Sequence, residues 1–228
     1  MEAADLGVRL CQSAARSVYL CYGMAALPIL ILALASFEIA GWLPSVLMWC
    51  ALPWLDRTIL FVLSRAAFGQ RTTPADVWRE QRSVWWRQLI FTWTVRRLSP
   101  WRSLTQPVYQ LEGFSIVRGG PRIRQIRRRH AGQALMMASA FGAASLSLAF
   151  ALVSLIFWMA PTGHAPELYQ LLVGEAGLLT LAFPIAQAIT VLFIEPFYVA
   201  AGFAMYLNRR AELEAWDIEQ EFRRAFSH

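Results

Sequence analysis

Charge is scarce in this sequence of 228 residues, and lysine is missing altogether. Only 16% of the residues are charged, 57% are hydrophobic, and all 21 basic residues are arginines. A soluble globular domain carries about 25% charged residues. The shortage argues against an ordinary soluble protein and indicates an integral membrane protein.

Cysteine, histidine and catalytic motifs are also in short supply. The three cysteines form no Cys-x-x-Cys or Cys/His grouping, and the three histidines lie in separate segments. We interpret the cysteines as reduced structural side chains. No phosphate-binding loop, Gly-x-Ser-x-Gly or His-Glu-x-x-His motif occurs. We therefore expect a protein that is not an enzyme, with no catalytic residue, metal or cofactor.

What the chain does have is four apolar stretches of the roughly 20 residues that a membrane-spanning helix needs. They run over about residues 18–37, 42–63, 133–159 and 185–207. The N-terminus has no short apolar core followed by a cleavage site, so the first span is expected to stay in the mature protein. The sequence thus predicts a single all-α membrane domain with four transmembrane helices.

Arginine is distributed unevenly around these spans. Fourteen of the 21 arginines lie between Arg65 and Arg129, against three acidic residues, so this block has a net charge of +11 and the rest of the chain −5. Positive charge stays on the cytoplasmic side of a membrane. We expect a cytoplasmic basic block at 65–131, both termini in the cytoplasm, and a cytoplasmic tail at 208–228.

The apolar stretch at about 168–184 precedes the fourth span without a polar linker. We predict a helix at the outer face that ends near Pro184, because the residue before a proline disfavours helix. The alternative is a fifth crossing, which would place the tail and its arginines outside.

Two spans are expected to continue as helices into the cytoplasm. Pro121 suits the first turn of a helix running to Met159, about 58 Å long, or nearly twice the hydrocarbon core of about 30 Å. The tail repeats apolar residues at steps of three and four, with acidic residues on its other faces. An acidic tail beside an arginine-rich stalk predicts that the two pair.

Tryptophans mark a further helix inside the basic block. Thr73 or Asp76 can open it, Pro74 lies near its first turn, and it would run to about Val95 with four indoles along it. We expect this helix to lie in the membrane interface, and packing on the bundle is the alternative.

Ionisable residues inside the spans are functional candidates because each is costly there. Asp56 and Arg57 lie in the second span, and Glu195 precedes Pro196 in the fourth. Pro196 frees the carbonyl of Leu192, an arrangement that transporters use at ligand sites. The structural interpretation is that Glu195 pairs with Arg57 or caps the kink. The alternative is proton or ion handling.

Small residues predict where helices approach closely. In the third span they recur at every fourth position, and Gly202 lies in a similar stretch of the fourth; the repeat comprises Ser139, Ala143, Ser147 and Ala151. We expect these two spans to pack against each other. Contact with another subunit is the alternative.

The arginines just before the third span, at 122–129, are expected to set topology and to contact anionic lipid headgroups. Nucleic acid also attracts such a patch. No separate nucleic-acid module accompanies it, so we expect no nucleic-acid partner.

Three groups of segments carry a resemblance. They read RRLSP continuing to PVYQLEG at 96–113, EPFYVAAGF continuing through YLNRR, WDIE and FRR at 195–224, and LDR with LSR at 55–65. Together they resemble an uncharacterised family of proteobacterial inner-membrane proteins. The resemblance implies the bacterial inner membrane, and genes near MoxR-type AAA ATPases and transglutaminase-like or protease-like membrane proteins.

We expect a non-enzymatic membrane subunit or scaffold that docks partners through its basic block and acidic tail. The partners would be other membrane proteins or further copies of the chain, with an AAA ATPase system suggested by the resemblance. The candidate interaction surface comprises Arg96, Arg97, Arg127, Arg128, Arg129, Asn208, Arg209, Arg210, Trp216 and Asp217. The alternative function is a transporter or channel component that uses Glu195, Asp56 and Arg57.

Overall fold

The computed structural model describes residues 2–86, 99–113, 116–159 and 178–225. Side chains are described at 2–86, 99–113, 119–128, 130–155, 158–159 and 181–215. Seven α-helices occur in these ranges: α1 Glu2–Ser13, α2 Ala15–Ala35, α3 Leu43–Ala66, α4 Pro74–Arg79, α5 Arg102–Gln110, α6 Ile116–Trp158 and α7 Leu178–Ala225. A short 3₁₀ turn at Ser36–Glu38 and a π-helical turn at Arg82–Trp86 complete them, and the described residues form no strand.

Four of the helical segments are long and apolar enough to cross a membrane, which confirms the all-α architecture with four candidate spans. They are Ala15–Glu38, Leu43–Ala66, His130–Leu155 and Leu181–Ala215. The helices that contain the last two are much longer than a bilayer core: α6 has 43 residues and α7 has 48. At 1.5 Å per residue they measure about 64 and 72 Å.

Helix α7 lies at the centre of the bundle and contacts α1, α2, α3, α5 and α6. The most apolar window of its span is 61% buried, as is that of α3, whereas the window of the α6 span is only 6% buried. Helix α6 is therefore the peripheral span, and most of its surface is left for lipid or another protein.

The N-terminal helix α1 packs closely on α7. A Cβ atom added at Gly7 would lie only 2.7 Å from the carbonyl carbon of Ala200 and 2.9 Å from the Cα of Ala201. Glycine is needed here because the two backbones touch. Cys11, one α-helical turn further on, is fully buried in the same core.

Two predicted helix boundaries at prolines are wrong. Helix α7 does not end near Pro184 but runs through both Pro184 and Pro196, and α6 begins five residues before Pro121. A proline removes a single backbone hydrogen bond, and a long helix held by tertiary packing tolerates that loss. Of the predicted outer-face helix, residues 178–184 belong to α7, and residues 168–177 lie outside the described ranges.

The tryptophan helix is shorter than predicted. Thr73 caps α4, with its hydroxyl accepting from the amide of Asp76 and the Asp76 carboxylate accepting from the amide of Thr73. The hydrogen bonds that the Asp76 carboxylate accepts from the amide and from the hydroxyl of Thr73 lower the pKa of Asp76. The helix ends at Arg79, and the π-helical turn follows. Residues 87–98, including the rest of the predicted helix, lie outside the described ranges.

The π-helical turn brings Trp85 against the bundle. Its indole nitrogen donates to the Thr58 hydroxyl at 2.9 Å, and its ring lies 5.2 Å from that of Trp54. Trp78 and Trp86 stay about 60% exposed. This segment therefore combines packing on α3 with exposed indoles.

The basic block does not form a uniform water-facing surface. Within it, α5 is inserted among the spans, and six of its nine residues are buried. Ser103 touches Gly202 so closely that a Cβ at Gly202 would lie 2.7 Å from the Ser103 carbonyl carbon. Helix α5 carries small and polar side chains where it enters the bundle, and this lets Arg102 reach the two candidate carboxylates of α3 and α7.

Candidate functional site

One arginine joins the two intramembrane carboxylates that the sequence singled out. Arg102, the first residue of α5, bonds Glu195 of α7 through one terminal nitrogen, and its Nε lies 2.8 Å from Oδ2 of Asp56 in α3. The side chain of Asp56 is completely buried, and those of Arg102 and Glu195 are 12% and 11% exposed. A buried charge needs a paired countercharge, and Arg102 supplies it to both acids.

The two carboxyl groups also approach each other. Both lie against the same guanidinium, Asp56 at Nε and Glu195 at a terminal nitrogen, and a hydrogen bond between two carboxylates requires a proton. Both oxygens of Asp56 lack a hydrogen-bond donor among the described residues, and the Nε–H of Arg102 is not directed at Oδ2 despite the short distance. The pair is therefore close but incompletely satisfied.

Arg57 does not pair with Glu195, and this part of the structural interpretation is wrong. Its guanidinium donates to the carbonyl of Ser83 at 3.0 Å, while its own carbonyl accepts from the Gln110 amide at 2.8 Å. Consecutive residues point to different sides of a helix. Arg57 therefore holds the π-helical turn that contains Ser83, whereas Asp56 faces the cluster. Glu195 binds Arg102, which belongs to a segment that the sequence assigned to the cytoplasm.

The kink region around Pro196 is supported from α2. The hydroxyl of Tyr22 donates to the carbonyl of Val191 at 3.3 Å, and that of Tyr19 donates to the carbonyl of Phe193 at 3.0 Å. These two carbonyls flank that of Leu192, which loses its usual helical donor to the proline. Tyrosine hydroxyls thus bond α7 at its weakened turn.

A cavity of about 440 Å³ adjoins the cluster between α6 and α7. Its polar lining includes Arg102, Glu195, Gln187, Thr190 and Tyr198. Thr190 is 1% exposed, and neither its hydroxyl nor the Gln187 carbonyl oxygen has a partner among the described residues. Unsatisfied polar atoms are costly in a bilayer, so this cavity is suited to a polar occupant.

The far end of α5 leads into a second polar contact. Glu112 accepts from the Tyr206 hydroxyl at 2.5 Å and from Nε of Arg122 at 3.1 Å. The segment that starts at Arg102 is thereby fixed to α7 at both ends. One arginine of the stretch before the third span is neutralised here.

The α6 segment at 116–129 is hereafter called the basic stalk. Arg127 stacks on Trp101, with its guanidinium carbon 3.8 Å from the ring centroid, and the Trp101 indole donates to the Ala131 carbonyl. Arg124 and Arg128 are exposed. These three arginines line a groove of about 410 Å³, which concentrates positive charge at one place.

The described part of the tail, residues 208–215, pairs mostly with itself. Arg209 bonds Glu212 at 2.8 Å, Arg210 bonds Glu214 at 2.6 Å, and Asn208 donates to Glu212 at 3.0 Å. Across to α6, His130 lies 3.4 Å from Glu212, and no stalk arginine pairs with the tail in the described part of the chain. Among the described side chains, the contact between α6 and the tail is therefore that of His130, and the predicted pairing of the acidic residues at 217–221 lies outside them. Arg96, Arg97 and the side chains of Arg129, Trp216 and Asp217 lie outside the described residues.

The small-residue stripe of α6 faces away from α7, contrary to the expectation that the two spans pack through it. The members of the stripe, Ser139, Ala143, Ser147 and Ala151, are all exposed. Phe141 and Ala149 face the cavity instead. Gly202 lies against Ser103 of α5. Contact of the stripe with another subunit, the alternative, stays a prediction.

Arg102, Gln187 and Thr190 are the site residues that sequence reasoning missed. One sequence feature could have singled out Arg102: the nine residues that follow it, 103–111, carry no charge although they lie in the arginine-rich block. The described residues contain no group of three or more acidic, histidine or cysteine side chains that could hold a metal ion.

No family model, curated protein or solved structure matches the chain. Its class therefore follows from its own structure: an all-helical protein with four helices able to span a membrane, which carries a buried Asp–Arg–Glu cluster between them.

Proposed function

We propose that the protein is a non-enzymatic, multi-pass subunit of the bacterial inner membrane that docks partner proteins on its cytoplasmic face. The observation that supports this most is the state of the basic stalk. Arg124 and Arg128 are exposed beside the groove, and neither has an ion-pair partner among the described residues. Unneutralised arginines on a projecting helix favour an acidic partner and speed its association.

The peripheral α6 span adds a second surface. Its exposed face carries the small-residue stripe, which would allow another helix to approach closely. We propose that a membrane-protein partner or a second copy of the chain binds at this face, and that lipid covers the rest of it. Both termini and the stalk are placed in the cytoplasm by the positive-inside rule.

The docking proposal is tested by purifying the tagged protein in mild detergent and quantifying co-purified proteins by mass spectrometry. The MoxR-type ATPase that the family resemblance implies is the first partner to probe. Arg124→Glu with Arg128→Glu should reduce co-purification at least tenfold. Arg71→Glu with Arg79→Glu makes the same charge change at exposed positions away from the groove and should have a smaller effect. Docking at the stalk would be contradicted if both variants co-purified the same amount of partner protein, or if the wild type were reproducibly a solitary monomer.

The ion cluster favours a second candidate function, a transporter or channel component. Asp56 and Glu195 meet at one arginine beside a polar cavity, as expected of residues on an ion path. In reconstituted vesicles, Glu195→Gln should abolish flux while the protein keeps its fold. Unchanged flux would eliminate this candidate.

A further inference from the structure

The buried carboxyl pair carries information about what the cluster binds. Asp56 and Glu195 both contact Arg102, one at Nε and the other at a terminal nitrogen, and this brings the two carboxyl groups together. Two ionised carboxylates held at one guanidinium repel strongly in a medium of low dielectric constant. Something must compensate for that repulsion.

The charge balance identifies what is missing. Two carboxylates and one guanidinium give the cluster itself a net charge of −1, while Arg57, the other buried arginine beside it in sequence, donates to the carbonyl of Ser83. One additional positive charge makes the cluster neutral. The incomplete bonding of Asp56 agrees with this, since neither of its oxygens has a donor among the described residues. A single proton between the carboxyl groups would supply both the charge and the hydrogen bond.

We propose that Asp56 and Glu195 form a proton-binding site in which the two carboxyl groups share one proton beside Arg102. A hard metal cation prefers about six oxygen ligands, whereas only two carboxyl groups converge here and Asp56 is completely buried. A proton needs only the two facing oxygens. Its occupancy requires neither docking nor flux, so both proposed functions could fail while the site stood.

The groups around the pair would leave this proton in place. Besides Arg102 of α5, the described titratable groups that face it are Tyr22 of α2 and Tyr198 of α7. Both are phenols, which stay neutral at physiological pH. The residues of α6 at the cavity are all untitratable: Ala138, Phe141, Gly142, Ser145, Leu146 and Ala149. Among the described residues, Arg102 is therefore the permanent charge in contact with the pair, and the neighbouring Arg57 donates to the carbonyl of Ser83 instead.

The cavity provides the route by which the proton exchanges. Gln187, Thr190 and Glu195 lie along α7 at i, i+3 and i+8, which spans about 12 Å of helix, and all three line the cavity. The hydroxyl of Thr190 and the amide oxygen of Gln187, which have no partner among the described residues, are suitable partners for water. We assign the cavity as a hydrated access path that ends at Glu195.

Infrared spectroscopy of the full chain in lipid nanodiscs tests the shared proton, because a protonated carboxyl group absorbs apart from a carboxylate and shifts in heavy water. At neutral pH the wild type should show one buried protonated group. Asp56→Asn and Glu195→Gln should each remove the whole band, since the remaining carboxylate is neutralised by Arg102. Glu214→Gln, an exposed residue paired with Arg210, is the matched control and should leave the band unchanged.

Loss of only half the band in each single variant would show independent protonation and overturn the sharing. Absence of the band in the wild type would overturn the proton altogether. A second measurement needs no variant: dicyclohexylcarbodiimide reacts with protonated carboxyl groups in apolar surroundings, because the proton moves to the reagent's nitrogen while the carboxyl oxygen adds to its central carbon. It should label Glu195 or Asp56, and labelling should fall as the pH rises. Protection by sodium at constant pH would mean that a metal cation occupies the site, and would refute the proposal.

Discussion

Replacing Arg102 by glutamine should destabilise the protein more than any other single arginine substitution in the described structure. The guanidinium is 12% exposed and contacts Asp56 and Glu195, which are 0% and 11% exposed. Removing one partner of a buried ion pair costs about 3–5 kcal/mol, because the other partner is left uncompensated. Here two carboxyl groups lose their only described cation.

The loss should depend on pH in a defined direction. Without Arg102, both carboxyl groups must hold protons in the folded bundle, whereas both are ionised in the unfolded chain at neutral pH. The folded variant therefore binds one proton more than the folded wild type. Stability changes by about 1.4 kcal/mol per pH unit for each proton difference, so the variant should recover about 1.4 kcal/mol relative to the wild type for each unit of acidification from pH 7 towards pH 5.

The free energy of unfolding can be measured in mixed detergent micelles by tryptophan fluorescence. Arg124→Gln is the matched control: this arginine is exposed and unpaired in the described structure, and its loss should change stability by no more than about 0.5 kcal/mol. The loss of unfolding free energy for Arg102→Lys should lie between those of the other two variants, because lysine keeps the charge but lacks the planar set of donors that a guanidinium offers. A cost below about 1 kcal/mol for Arg102→Gln, or a cost that does not vary with pH, would refute the reasoning.

Three further predictions concern the packing around the cluster. Gly7→Val should cost at least about 1–3 kcal/mol in unfolding free energy because its side chain would meet the α7 backbone, whereas Gly142→Ala, where an added Cβ meets nothing within 4 Å, should be neutral or stabilising. Tyr206→Phe should lose about 1.5–3 kcal/mol, as expected for a hydrogen bond to the charged Glu112; an unchanged thermal unfolding curve would contradict this. Burial raises the pKa of Cys11 to about 11, so only about one thiol in a thousand is ionised at pH 8. Iodoacetamide should modify it rapidly only after denaturation, and rapid modification of the native protein would mean that α1 is not docked.

The four candidate spans could be predicted from the sequence because membrane crossing depends on composition over roughly 20 residues, a local property. The helix boundaries expected at prolines could not be predicted in this way. Pro121 and Pro184 disfavour helix locally, yet the long helices continue through both. Packing along the helices outweighs the loss of one hydrogen bond, and packing cannot be read from a local rule.

The cluster was half predictable for a related reason. Asp56 and Glu195 stand out because ionised groups are rare inside apolar spans. Arg102 does not stand out, since it is one of fourteen arginines in a block whose charge indicates exposure to water. Its role depends on the insertion of α5, which rests on contacts such as Ser103 with Gly202, about a hundred positions apart in the chain. The prediction that the small-residue stripe packs on the fourth span failed for a similar reason, because residue spacing predicts a face suited to close packing but not which helix packs on it.

The contact of Gly7 with Ala200 and Ala201 sets an order of events during biosynthesis. Gly7 is synthesised about 193 residues before Ala200, so it meets its partner only after these residues have been made. At about 5–20 residues per second this takes roughly 10–40 s. During that interval α1 has no α7 to cover Cys11, and the nascent chain must wait with its first helix undocked. Helix α7 therefore completes the packing of α1, and a chain released before α7 is made would leave α1 without this partner.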